Sequence, residues 1–124
     1  MKVRDLDLDK LLAVEPDTTL SEIARRMRRD DADSVAVMHR GRLVGIVTER
    51  DMVRAMADGL DPQEARAAVV MAKDPATVDA GEDVSVVAMK MIRLGVRHFP
   101  VIDGGKPIGL VSARNLVRGL DRES

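Results

Sequence analysis

Leu20, Ile23, Ala24 and Met27 recur at i, i+3, i+4 and i+7, which predicts one face of an amphipathic helix. Thr19, with Glu22 three positions on, predicts a capping box at its start. The same spacing returns in Val84, Val87, Ala88 and Met91, with Asp83 as the N-cap. Between these helices the pattern changes to nearly continuous apolar runs. Val35-Ala36-Val37-Met38, the polar turn His39-Arg40-Gly41-Arg42 and Leu43-Val44-Gly45-Ile46-Val47 predict a hairpin covered on both faces. Phe99-Pro100-Val101-Ile102, Asp103-Gly104-Gly105-Lys106 and Ile108-Gly109-Leu110-Val111 predict a second one. Each hairpin leads into another helix, carrying Met52, Val53 and Met56 or Leu116, Val117 and Leu120, with Gly59 and Gly119 near the helix ends. The order in each half is short strand, helix, strand, strand, helix.

The two halves are copies of one unit. Val14 to Arg54 reads onto Val78 to Arg118 without a gap, at a constant offset of 64 positions. Ser21 meets Ser85, Met27 meets Met91, Gly45 meets Gly109, Val47 meets Val111 and Arg50 meets Arg114. Shared register predicts a shared backbone path and packing about a pseudo-twofold axis, an α/β (α+β) module of two repeats. The repeats are bounded as 1–60 and 61–124, the second opening with a linking segment. There Asp61-Pro62-Gln63-Glu64 offers an N-cap, a first-turn proline and a carboxylate, predicting a helix from Pro62 to about Val70. In 124 residues each repeat is close to the smallest chain that buries a sufficient core alone, so the halves need each other.

Composition narrows the chemistry. With no Trp, no Tyr and one Phe, the core is aliphatic, with eight Met supplying compliance. The absence of Cys excludes a disulfide framework and any thiolate metal site, and two His are too few for a zinc site without many carboxylates. No apolar run reaches the length of a signal peptide or a membrane span, so a soluble cytoplasmic protein is expected, without a membrane partner. A net charge of −1 speaks against nucleic acid as a partner. The basic run Arg25-Arg26-Met27-Arg28-Arg29 is followed by Asp30, Asp31 and Asp33 and reads as a solvated helix end. No serine elbow, cysteine nucleophile or paired carboxylates assemble a general acid and base, so no catalytic residue is assigned and an enzyme is not expected.

The candidate chemistry lies where a buried strand becomes a helix. In Gly45-Ile46-Val47-Thr48-Glu49-Arg50-Asp51 the Thr48 hydroxyl, the first-turn N–H groups and the helix dipole suit a phosphate. One turn on, the two carboxylate oxygens of Asp51 suit a vicinal diol such as a ribose. Thr48, Arg50 and Asp51 therefore read as a nucleotide grip. The same spacing is also an ordinary capping box, and both readings stand at this point. The second copy repeats it as Ser112-Ala113-Arg114-Asn115.

At these residues the chain resembles a tandem pair of cystathionine-β-synthase (CBS) domains, the Bateman module. The resemblance is carried by Val14-Glu15-Pro16-Asp17-Thr18-Thr19-Leu20 and Gly41 through Asp51 in the first copy, and by Gly95 through Asp103 and Gly109-Leu110-Val111-Ser112 in the second. It covers nearly the whole chain and implies two sheets packed together, with clefts between the repeats that accept adenosine-containing ligands. By the resemblance, Thr48 and Ser112 face phosphate and Asp51 and Asn115 face ribose. The resemblance also implies that basic residues of the opposite copy, here matched by Arg97 and Arg114, reach the same phosphates, and that backbone near Val35-Ala36 or Phe99-Pro100 faces the base. His98, flanking a buried strand, reads either as a further phosphate contact or as an ordinary satisfied polar residue. No cofactor is required, and an adenine nucleotide is the regulatory ligand.

Two departures predict unequal sites. Asn115 offers a diol no charge-assisted acceptor, and Asp33 stands opposite Arg97. The reading is a non-catalytic, nucleotide-sensing module. Apolar stripes at Met52-Val53-Met56 and Leu116-Val117-Leu120 suit a homodimer or an effector protein. The alternative is a structural or regulatory adaptor that binds a partner protein and holds no nucleotide, with Thr48 and Asp51 acting only as caps.

Overall fold

The computed structural model describes residues 1–123, and the chain divides into two compact units. The central unit is Leu12–Pro75, while Met1–Leu11 joins the chain from Ala76 onward to form the terminal unit. The first eleven residues of the chain thus pack with the second repeat's strands, and the linking segment packs with the first repeat's.

The central unit contains β1 (Ala13–Val14), α1 (Leu20–Asp30), β2 (Ser34–His39), β3 (Arg42–Thr48), α2 (Glu49–Ala57), α3 (Ala67–Val70) and β4 (Ala72–Lys73). Its sheet runs β1-β2-β3-β4, with β1 parallel to β2 and the other pairs antiparallel. The β2–β3 hairpin turns on Arg40 and Gly41, both at positive φ, the geometry whose twist matches that of the strands it joins. Leu20, Ile23 and Met27 of α1 are buried against Val35, Val37 and Val47. Burying a valine of this kind contributes roughly 1.5–3 kcal/mol. Ala24, on the predicted apolar face, is exposed, and α1 buries a narrower stripe than its spacing suggested.

The terminal unit repeats the plan. It contains a short 3-10 turn at Val3–Asp5, then β5 (Val78–Asp79), α4 (Val84–Leu94), β6 (His98–Asp103), β7 (Lys106–Ser112) and α5 (Ala113–Glu123). Its sheet runs β5-β6-β7, and the β6–β7 hairpin turns on Gly104 and Gly105, again at positive φ. Both hairpins shift register at equivalent places, Val37/Met38 and Val101/Ile102. Phe99, Val101 and Val111 are fully buried, with Val3 and Leu6 of the opening segment in the same core.

The opening and linking segments are equivalents. Lys2 bridges to Asp83 as Arg66 bridges to Thr19, at the offset of 64 positions. Farther along, Asp9 bridges to Leu110, and Ala72 pairs with the equivalent Ile46, so the offset there is one residue shorter.

Three expectations are corrected. The linking helix is not continuous from Pro62 to Val70. Asp61 begins a single turn, its side chain accepting from Gln63 N at 2.9 Å, Arg66 is extended, and α3 covers only Ala67–Val70. The turn stops because its carbonyls are used elsewhere: Ala65 O and Pro62 O accept from Leu20 N and Ser21 N, the unpaired amides that open α1. The capping box at α1 is half formed. Thr19 accepts from Glu22 N, but the Glu22 carboxylate turns to Arg25 and Arg26. Gly119 does not end α5 but lies inside it, where an added Cβ would meet Leu6.

Candidate functional site: two equivalent turns with unequal openness

In the central unit Thr48 closes β3 and caps α2. Its register partner across the hairpin is Ser34, so Val35 and Ala36 stand beside Val47 and Ile46. The box is complete: Thr48 N donates to Asp51 Oδ2 at 2.8 Å, Thr48 Oγ1 to the same oxygen at 3.1 Å, and Asp51 N to Thr48 Oγ1 at 3.3 Å. Glu49 N donates to Asp33 O at 3.0 Å. Two of the first three amides of α2 are therefore paired internally, which narrows the set of first-turn N–H groups offered to a phosphate. What remains for an anion is the exposed Arg50 side chain together with the positive end of the α2 dipole.

Asp51 keeps one oxygen outside the box. Oδ1 lies 3.9 Å from Arg54 Nη1, a loose pairing, and the side chain is 17% exposed. One carboxylate oxygen accepts from two donors at once, so Oδ1 by itself can engage a cis-diol. Ala36 N donates to Leu12 O at 2.8 Å, and the Val35 side chain lies in the core.

The terminal unit builds the same turn and closes it. Ser112 N and Oγ donate to Asn115 Oδ1 at 2.7 and 3.1 Å, and Asn115 N donates to Ser112 Oγ at 3.2 Å. Ala113 N donates to Arg97 O at 3.1 Å, matching the Glu49–Asp33 bond. The Asn115 amide goes further, donating to Asp7 O at 3.2 Å and to Asp9 Oδ1 at 3.3 Å. Asn115 is 2% exposed, and Ser112 is buried as well. Arg114 and Arg97 are exposed, His98 is half-buried opposite Ser112, Phe99 is core and Pro100 is buried.

The sequence-assigned residues thus gather around two turns. Thr48, Arg50, Asp51, Val35 and Ala36 belong to the central unit, and His98, Phe99, Pro100, Arg97, Ser112, Arg114 and Asn115 to the terminal one. Sequence reasoning missed Asp7 and Asp9, which have no periodicity to flag them, although each sits in the opening segment that the same offset maps onto the linker. Among the described residues no group of three or more His, Cys, Asp or Glu is placed to hold a metal ion. No helix among them is long and apolar enough to cross a membrane.

The chain belongs to the CBS domain family, whose sequence profile matches residues 3–58 and 66–122. It is 34% identical over 122 residues to an uncharacterized 17.7 kDa protein of Acidianus ambivalens, covering 96% of this chain and 73% of that one. Other curated relatives are longer, the chain spanning 54% of one and 21% of another. Among solved structures, the CBS domain of NE2398 superposes with a TM-score of 0.91 at 30% identity, covering 100% of this chain and 98% of that one. A CBS domain protein of Pyrobaculum aerophilum complexed with AMP superposes with a TM-score of 0.86 at 26% identity, over 98% and 99% of the two chains. The two-repeat strand-helix-strand-strand-helix fold is the fold of this family.

Proposed function

We propose that the chain is a regulatory, non-catalytic module that takes an adenine nucleotide at the Thr48–Asp51 turn and signals through a change in its packing or partner contacts. The observation that carries this reading is Asp51 Oδ1, which stays outside an otherwise complete capping box on a partly exposed side chain. Membership of the CBS family and the AMP-complexed relative support the choice of ligand. Asp51 would hold the ribose hydroxyls, and Arg50 would meet phosphate, which favours AMP, ADP or ATP over a ligand without phosphate. Signalling requires the nucleotide to bind one arrangement of the module better than another.

The module would act in the reducing cytoplasm as a homodimer. Val53 and Met56 on α2, and Val117 and Leu120 on α5, are all more than half exposed. So are Met89 and Ile92 on α4, where the equivalent positions of α1 are Arg25 and Arg28. An apolar face in one unit against a charged one in the other favours a second copy meeting the α4–α5 face.

The completed boxes in both units favour a second reading, in which the turns are caps alone and the chain is a nucleotide-free adaptor for a partner protein. Thermal denaturation with AMP, ADP, ATP, S-adenosylmethionine and NADH separates the two. A ligand at a hundredfold over its Kd stabilises by about 2.7 kcal/mol, on the order of 10 °C for a domain of this size. A shift with the phosphorylated nucleotides is expected, and no shift with any of them would leave the adaptor.

A further inference from the structure

We propose that Asp9 is a built-in plug of the second turn, so that one chain takes one nucleotide, at Asp51, and the Ser112–Asn115 turn is closed by the protein's own opening segment. This rests on the reading that such turns hold nucleotide.

The two turns share their capping hydrogen bonds to within about a tenth of an ångström, so the turn itself does not make them differ. The difference comes from the segment laid along the sheet edge. In the terminal unit that segment contributes Asp9, bridging to Leu110, and its carboxylate accepts from Asn115 Nδ2 at 3.3 Å while Asp7 O accepts at 3.2 Å. At the equivalent edge of the central unit Ala72 pairs with Ile46. An alanine has no group to reach the turn, and Asp51 keeps an oxygen open.

Asn115 has two amide protons and one carbonyl oxygen, and the structure gives the amide nitrogen two acceptors and the oxygen two donors. A diol would have to displace Asp7 or Asp9 to bond there, and the buried Asn115 amide would give up one of its two acceptors. Space is not the obstacle, since a cavity of about 290 Å³ lined by Asp7, Asn115, Arg118 and Asp121 adjoins the turn. The closure is a matter of hydrogen bonding, and the change from Asp51 to Asn115 fits it: an aspartate at 115 would set its carboxylate against that of Asp9.

Calorimetric titration of the full chain with AMP tests this. The wild type is expected to show one site per chain, D51A none, the double variant D9A/N115D two, and D51A/D9A/N115D one. Two sites in the wild type would overturn the plug, as would a folded D9A/N115D that gains none over the wild type. If the wild type binds no AMP but D9A/N115D binds it, the proposed function fails and the plug stands; if neither binds, both fail. Should D9A/N115D not fold, the milder D9A decides. Exchange of the Asn115 side-chain amide protons, followed by NMR, is expected to quicken about tenfold when the Asp9 acceptor is removed. An unchanged rate would overturn the proposal.

Discussion

Asn115 Nδ2 donates to Asp9 Oδ1 at 3.3 Å across 106 positions of sequence, and through it the opening segment is tied to the head of α5. Asp51, the equivalent residue, has no such tie and caps α2 alone. The two residues should therefore part company on substitution. Without ligand, Asn115→Ala leaves Asp7 O, Ser112 N and their neighbours short of partners and is expected to cost about 2–4 kcal/mol. Asp51→Ala removes half of a capping box and is expected to cost about 1 kcal/mol. With AMP the order reverses, Asp51→Ala losing most of the ligand-induced rise in Tm and Asn115→Ala keeping it. Urea denaturation and thermal melts with and without AMP measure both.

The helices α1 and α4 end alike but with different residues. Gly95 caps α4 at φ 65°, while Asp31 caps α1 at φ 51°, a left-handed conformation that a β-carbon opposes. Gly95→Ala is expected to destabilise by about 1 kcal/mol, and Asp31→Gly to be neutral or stabilising by about 0.5 kcal/mol once the greater freedom of glycine in the unfolded chain is counted. Equilibrium unfolding of the two variants checks the pair. A loss on Asp31→Gly as large as that on Gly95→Ala would contradict the assignment.

Acid should loosen the terminal unit through Glu82. Its carboxylate is held below the usual range by the Lys90 ammonium, 2.6 Å away, and further by the Asp79 amide. A carboxylate with a depressed folded-state pKa contributes stability above its unfolded pKa and loses it as the pH falls through the folded one. Wild-type stability is thus expected to fall from the ordinary glutamate range downward, and Glu82→Gln to lie lower at neutral pH with a flatter acid limb. Glu22 shifts in the same direction beside Arg25 and Arg26, but it is exposed and contributes little. Melting curves from pH 7 to pH 3 measure the difference.

Elements with a period were legible in the sequence. Leu20, Ile23 and Met27, the two hairpins, and the recurrence of Thr48-x-x-Asp51 as Ser112-x-x-Asn115 follow from spacing and from the repeat, and the structure carries each of them. The exchange of Met1–Leu11 and the linker between units was not legible, because segments held by scattered backbone bonds leave no hydrophobic period. The Pro62–Val70 helix misled for a related reason: good capping chemistry at Asp61 was real, but the turn's carbonyls are drawn to the N-terminus of α1. At the site, the residue types were legible and their hydrogen-bond partners were not. Nothing in the identity of Asn115 alone foretells Asp9.

Self-association gives a separate check. With Met89 64% and Ile92 77% exposed on α4 beside Val117 and Leu120 on α5, sedimentation equilibrium is expected to show a dimer. Replacing Ile92 with Arg, which restores the character of the equivalent Arg28, is expected to weaken it at least tenfold, through the loss of buried apolar area and like-charge repulsion. The same change at Arg28→Ile should leave the dimer intact.

A crystal structure of the full chain grown in excess AMP tests the assignment of Asp51 most directly. Density for the ribose is expected with its hydroxyls within about 3 Å of Asp51 Oδ1, and with the phosphate toward Arg50. A nucleotide bound elsewhere, or a map in which the Asp51 turn stays empty at saturating AMP, would contradict it.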